Sequence, residues 1–193
     1  MVERARAELI LGGQKSGKSR RAEQLAQAWL ALGDRRRAVL VATAQPGDPE
    51  MCERIARHQR DRAERVPGLI AVEAPLQLGA ALREQTTPAT LVIVDCLTLW
   101  LTNWLMPLDG SAGDEAVLKV AQQDLLESVV GASGPIVLVS NEIGLGVIPM
   151  GREVRAYVDA LGALNQAVAA VCDRVTLMAA GLPLALKGHK CLL

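Results

Sequence analysis

An apolar run that stops at two glycines and resumes as an amphipathic segment, "ELILGGQKSGKSRRAE" at residues 8–23, leaves this chain few folds to choose from. Residues 12–19 fit Gly-x-x-x-x-Gly-Lys-Ser at every fixed position, through Gly12, Gly17, Lys18 and Ser19. Such a turn works only between a strand that delivers the chain and a helix that carries it away. The N–H groups of the turn and of the first helical turn must converge on one point, and the helix N-terminus adds its partial positive charge there. A strand, a glycine-rich turn and a helix in that order open a parallel α/β sheet.

The rest of the chain repeats the pattern. Short runs rich in Val, Leu and Ile recur as "AVLVATA" (38–44), "LIAVEA" (69–74), "ATLVIVDC" (89–96), "PIVLVSNE" (135–142) and "RVTLMAAG" (174–181). Between them lie segments of helical character at 17–32, 48–65, 75–85, 97–106, 114–131 and 152–171, with Asp48 the expected N-cap before Pro49. Near-continuous apolar strands separated by helices belong to a parallel sheet covered on both faces. The expected fold is therefore α/β, a mainly parallel sheet flanked by helices, of the P-loop NTPase-like (RecA-like) kind, as one domain over 1–193.

Composition narrows the function classes. Phe is absent and there are three Trp and one Tyr, so the core is built from aliphatic side chains. The formal net charge is zero, which argues against a general nucleic-acid binder that needs a broad excess of Lys and Arg. Cys52, Cys96, Cys172 and Cys191 form no Cys-x-x-Cys pair and suggest free thiols in a reducing compartment. The strongest apolar run, "LVIVDCLTLWLTNWLM", is interrupted by Asp95 and Asn103, and the first residues lack a signal-peptide core. No membrane span and a cytoplasmic location are the expectation.

The turn at 12–19 is a phosphate cradle. Lys18 is placed to reach β and γ phosphates, and the Ser19 hydroxyl to bind Mg²⁺. A nucleotide's magnesium needs a second acidic anchor at the end of a neighbouring strand, and Asp95, closing "LVIVD", is the candidate. Asp95 is equally placed to cap the helix that follows it. The guanine-selecting Asn-Lys-x-Asp of switch GTPases is missing, which disfavours a molecular switch.

A second feature lies in "RIARHQRDR" (54–62). On a helix, positions 51, 55, 58 and 62 form one stripe, so Met51 and Ile55 are expected to turn His58 inward between Arg54 and Arg62. Arginines there suit phosphate oxygens. The alternation with Glu50, Glu53, Asp61 and Glu64 suits a solvated helix face as well, and spacing alone does not choose. Imidazole is suited to phosphorus chemistry: it is largely neutral near pH 7, attacks without first losing a proton, and leaves readily from a protonated phosphoramidate.

Taken together, "LILGGQKSGKSRRAE", "VLVATA", "EMCERIARHQRDR", "VDCLTLWLTN", "VSNEIGLGVIP" and "GLPLALKG" resemble the bifunctional adenosylcobinamide kinase and adenosylcobinamide-phosphate guanylyltransferase family of cobalamin biosynthesis. Asn141, Glu142, Gly144, Gly146 and Pro149, followed by Arg155, Asp159, Gly162, Asn165 and Gln166, are the most diagnostic stretch. The resemblance implies two reactions. Adenosylcobinamide is phosphorylated with ATP or GTP, and GMP is then moved from GTP to adenosylcobinamide phosphate through a guanylyl-histidine. His58 is the histidine that matches, and His189 does not. The resemblance also implies nucleotide contacts from Gly12, Gly13, Gln14, Lys15, Ser16, Gly17, Lys18 and Ser19, from Ala42, Thr43 and Ala44, from Gln59, Arg60, Asp61 and Arg62, and from Glu73 and Asp95. Catalytic roles fall to His58, Lys18 and Asp95, and Mg²⁺ to Ser19 and Asp95. A homotrimer is expected. Lys15 stands where the family more often has Arg, and Met150-Gly151 where an acidic-amide pair is common. The rival readings are a single-function P-loop small-molecule kinase and a non-metabolic P-loop ATPase subunit.

Overall fold

Strand residues of this chain are apolar at successive positions, not at alternate ones, and both faces of each central strand are buried. Leu9, Val39, Val41, Val92, Val94, Ile136 and Leu138 pack into one cluster, and Ile10, Ala38, Leu40, Leu91, Ile93, Val137 and Val139 into another on the opposite face. A sheet built this way must be covered on both sides by helices. The computed structural model describes residues 7–47, 49–111 and 113–188, with the side chains of residues 49–51, 54, 55, 58, 59 and 63 outside that description.

Seven strands alternate with six helices among the described residues: β1 (Ala7–Gly12), α1 (Lys18–Leu30), β2 (Arg37–Ala42), α2 (Pro49–Arg65), β3 (Leu69–Glu73), α3 (Leu78–Gln85), β4 (Thr90–Asp95), α4 (Leu97–Leu105), α5 (Glu115–Val130), β5 (Ile136–Val139), α6 (Arg152–Val171), β6 (Arg174–Ala179) and β7 (Leu182–Lys187). The sheet order is β3-β2-β4-β5-β1-β6-β7. All pairings are parallel except β6 with β7. One face is covered by α1 through Ala22, Leu25 and Ala26. The other is covered by α3, α4, α5 and α6, centred on the fully buried Trp100 with Leu82, Leu125, Leu164 and Val168. Trp100 keeps its indole N–H satisfied in that apolar setting by donating to Leu76 O at 2.8 Å.

The expected α/β class, the six anticipated strands and the flanking helices are all present. Two details differ. The run 135–142 is strand only to Val139, after which Ser140 N–H and Glu142 N–H donate to Ile10 O and Gly12 O, both at 3.0 Å. The run 174–181 ends in a turn with Ala180 at φ 52° and Gly181 at φ 80°, and the chain returns as β7. That hairpin was not anticipated: Pro183 argues against a strand, and Ala-Gly is a weaker turn signal than Asn-Gly. Pro183 is tolerated because β7 is the outermost strand of the sheet. The expected cap, Asp48, lies outside the described residues.

Candidate active site

The C-terminal ends of the parallel strands, where open α/β sheets bind ligands, carry the phosphate loop, Ala42 to Ala44, Glu73 and Asp95, while residues 58–62 lie within α2. At the end of β1 the chain folds into the loop Gly12–Ser19. Gly12 (φ 152°) and Gly17 (φ 101°) take conformations that disfavour side chains. A Cβ on Gly12 would stand 2.5 Å from Met178 O and 2.6 Å from Ser16 Oγ, so glycine is required there for space as well. Lys15 is also left-handed, at φ 56°. The loop is tied to the β6–β7 turn by Gly181 N–H donating to Ser16 O at 3.0 Å. With Gly17 as its N-cap and no side-chain cap, α1 points its uncapped N–H groups into the loop.

Lys18 is buried, and its Nζ donates to Gly13 O at 2.7 Å. Burial lowers its pKa from the ordinary lysine value, while Cys96 and Asp95 pull the other way. An ammonium held in so poorly solvated a place gains strongly from an incoming anion. Ser16 Oγ, buried and without a partner among the described residues, is a second donor placed in the same loop.

Asp95 does not cap α4. The cap is Cys96, with no side-chain cap bond, and the Asp95 carboxylate is instead paired with the Arg62 guanidinium. Asp95 and Ser19, one strand apart across β5, line a single small cavity of about 10 Å³ together with Glu23 and Arg62. A hydroxyl and a carboxylate are hard oxygen donors of the kind Mg²⁺ prefers, with phosphate and water filling its remaining positions. The pair therefore fits that ion. Among the described residues no group of three or more His, Cys, Asp or Glu gathers to hold a metal by protein ligands alone.

Glu23 went unnoticed in the sequence. It is buried, 3.4 Å from Arg65 Nε and 3.9 Å from Arg62 Nε. Burial raises its carboxyl pKa above the ordinary glutamate range, with Arg65 and Arg62 pulling it back. The available signal was position: on α1 Glu23 stands four residues after Ser19, one turn along the same face.

The remaining expected contacts divide. Ala42 sits in register between Glu73 of β3 and Asp95 of β4, so these three lie in one row at the strand ends, with Glu73 exposed. Thr43 is fully buried and clasps the next loop: its Oγ1 donates to Cys96 O at 2.7 Å and accepts from Cys96 N–H at 2.8 Å. Asn103 Nδ2 donates to Thr43 O at 2.8 Å. Thr43 thus fixes the turn that presents Asp95, and its hydroxyl is already committed. Ala44 is half-buried, Arg60 and Asp61 are exposed on α2, and Arg62 points into the pocket. His58 lies within α2, but its side chain and those of Gln59, Met51 and Ile55 lie outside the description, as do His189 and Cys191. Cys52, Cys96 and Cys172 are free thiols. No described helix is long and apolar enough to cross a membrane.

The family model described as cobinamide kinase / cobinamide phosphate guanyltransferase matches residues 8–186. The bifunctional adenosylcobalamin biosynthesis protein CobP of Pseudomonas aeruginosa is 48% identical over 183 residues, covering 94% of this chain and 98% of the relative. Its counterpart CobU of Salmonella typhimurium is 32% identical over 187 residues, covering 93% and 98%. Among solved structures, the flagellar accessory protein FlaH from Methanocaldococcus jannaschii matches at TM-score 0.49 and 13% identity, covering 96% of this chain and 80% of that one. With a family match over residues 8–186 and a phosphate loop complete in both sequence and geometry, the chain belongs to the cobinamide kinase / cobinamide phosphate guanyltransferase family.

Proposed function

We propose that this chain, acting as one unit over 1–193, phosphorylates adenosylcobinamide with ATP or GTP and then converts the product to adenosyl-GDP-cobinamide with GTP. The observation that carries the reading is the meeting of Ser19 and Asp95 in one cavity beneath a complete phosphate loop, in a chain of this family. In the first reaction the aminopropanol hydroxyl oxygen attacks the γ-phosphorus, its proton is lost and ADP or GDP leaves. Lys18 and the loop N–H groups hold the β and γ oxygens, so catalysis is mainly positioning and charge neutralisation.

In the second reaction an imidazole nitrogen of His58 attacks the α-phosphorus of GTP, and the bond to pyrophosphate breaks. A phosphate oxygen of adenosylcobinamide phosphate then attacks the same phosphorus, the P–N bond breaks and the imidazole is released. Arg62 and Lys18 are suited to balance the charge that builds on the phosphates. Ser19 and Asp95 would hold Mg²⁺, which would supply further charge neutralisation. Ala42, Ala44, Gln59, Arg60, Asp61 and Glu73 complete the nucleotide's surroundings. A homotrimer and a cytoplasmic location belong to the same reading and rest on family membership.

The test is to follow both products from adenosylcobinamide. Phosphorylation with ATP, followed by at most one equivalent of pyrophosphate from GTP alone and by continued pyrophosphate release only when the phosphorylated product is also present, is the expected result. Phosphorylation without pyrophosphate release reduces the protein to a small-molecule kinase. Absence of both products refutes the reading.

A further inference from the structure

Beside the phosphate loop the fold opens a second, larger concavity of about 450 Å³, between the segment 143–149 and α6. Apolar walls come from Ile148, Pro149 and Val158, and the polar groups on its lining are Arg155, Asp159 and Gln166. The floor includes Gly162, which lies inside α6, where glycine costs about 1 kcal/mol relative to alanine. A Cβ built there meets no heavy atom within 4 Å, and its φ is not in the left-handed range. Among the described residues no neighbour, and no backbone strain, requires a glycine at 162. Gly146 on the facing segment is equally open. Neither glycine puts a side chain into the groove.

The groove is fastened to the phosphate loop. Glu142 N–H donates to Gly12 O at 3.0 Å, and the Glu142 carboxylate in turn accepts from Gly144 N–H at 2.7 Å. From α6, the buried Asn165 donates its Nδ2 to Asn141 O at 3.0 Å, locking the helix to the start of the same segment. At the far end Arg155 Nη1 donates to Pro149 O at 3.0 Å. One end of the groove is thus anchored at the first glycine of the phosphate cradle.

On the functional reading above, on which this inference rests, we propose that the groove between 143–149 and α6 binds the corrin macrocycle of the substrate, with its aminopropanol arm directed toward Gly12–Ser19. The chemistry matches on three counts. A corrin is a broad ring with methyl groups on its faces, which suit Ile148, Pro149 and Val158. Its rim carries carboxamides, which both donate and accept, as do Gln166 and the pair of Arg155 and Asp159. A large acceptor must lie open to one side while its reacting arm enters the phosphate loop, and an open groove whose edge is hydrogen-bonded to Gly12 permits this.

The test is Gly162→Leu, which fills the floor while raising helix propensity, with Gln166→Ala as a milder companion on the exposed rim. Equilibrium dialysis against cobinamide reads binding without turnover, and kinase kinetics read the KM for adenosylcobinamide against that for ATP. A rise of at least about tenfold in cobinamide Kd and KM for Gly162→Leu, with the ATP KM and the oligomeric state unchanged, is expected. Gln166→Ala is expected to raise both cobinamide values about threefold. Unchanged cobinamide binding in Gly162→Leu overturns the proposal. If Gly162→Leu alters the oligomer, Gln166→Ala decides: unchanged cobinamide binding there assigns the groove to contact between copies and overturns the proposal. Dialysis reads the groove even if wild-type protein shows no turnover, so failure of the functional reading is seen separately.

Discussion

The loop at 12–19 and the helix α2 both contribute to the cavity lined by Ser19 and Arg62, yet they are attached to the molecule by different forces. The loop is held by geometry: left-handed glycines, a Cβ-free approach to Met178 and a hydrogen bond to the β6–β7 turn. Of the described side chains on α2, none is buried, and only Ala56 and Arg62 are half-buried. Its C-terminal half is fastened by Arg62 to Asp95 and Glu23, by Arg65 to Glu23, and by Gln27 Nε2 donating to Arg65 O. Packing and backbone geometry are insensitive to salt and ligand charge, whereas ion pairs at a pocket are redistributed when phosphates and a divalent cation enter. The same cavity therefore combines a loop held by backbone geometry with a helix held at its C-terminal half by ion pairs.

Removing the cradle's ammonium has the largest expected effect. Lys18→Met keeps an apolar stem of similar length in the same buried place. It is expected to lower both phosphorylation and pyrophosphate release by about a hundredfold to a thousandfold. Survival of either activity above a tenth of wild type would separate the two reactions from a shared loop. Next in size is Arg62→Met. With its main ion pairs gone, α2 is expected to exchange its amide hydrogens about tenfold faster, while β1 and α1 stay unchanged in the same hydrogen-exchange experiment. Equal acceleration in both regions would erase the contrast.

The smallest effect concerns Glu23. Its folded-state pKa is raised, so the folded chain binds a proton more tightly than the unfolded one. Stability contributed by the protonated carboxyl is present below the ordinary glutamate pKa and declines as pH rises toward the raised value. Glu23→Gln is expected to flatten that decline in thermal unfolding measured across the mildly acidic range, by less than about 4 °C in Tm. A steeper decline in the variant would mean that Arg62 and Arg65 outweigh burial.

The contrast also explains what could be read from the sequence. The cradle and the six parallel strands were legible because their signals are local: a fixed glycine spacing, and apolar runs with no alternation. Asp95 was legible as an acid at a strand end, but its pairing with Arg62 joins residues 33 positions apart and leaves no periodic trace. Glu23 was hidden because a buried glutamate on an otherwise ordinary amphipathic helix looks like its solvated side. The clasp between Thr43 and Cys96, 53 residues apart, had no signal at all. β7 was missed because proline and an Ala-Gly turn both argue against it, and an outermost strand tolerates both.

The central claim is that the imidazole of His58 carries GMP between GTP and the phosphorylated corrinoid. The direct measurement is to incubate the protein with GTP labelled at the α-phosphorus, quench in alkali and map the label by peptide. The account predicts an acid-labile label on His58 that vanishes in His58→Ala while phosphorylation of adenosylcobinamide continues. Label retained in His58→Ala, or no label on wild-type protein that still releases pyrophosphate in turnover, would contradict it.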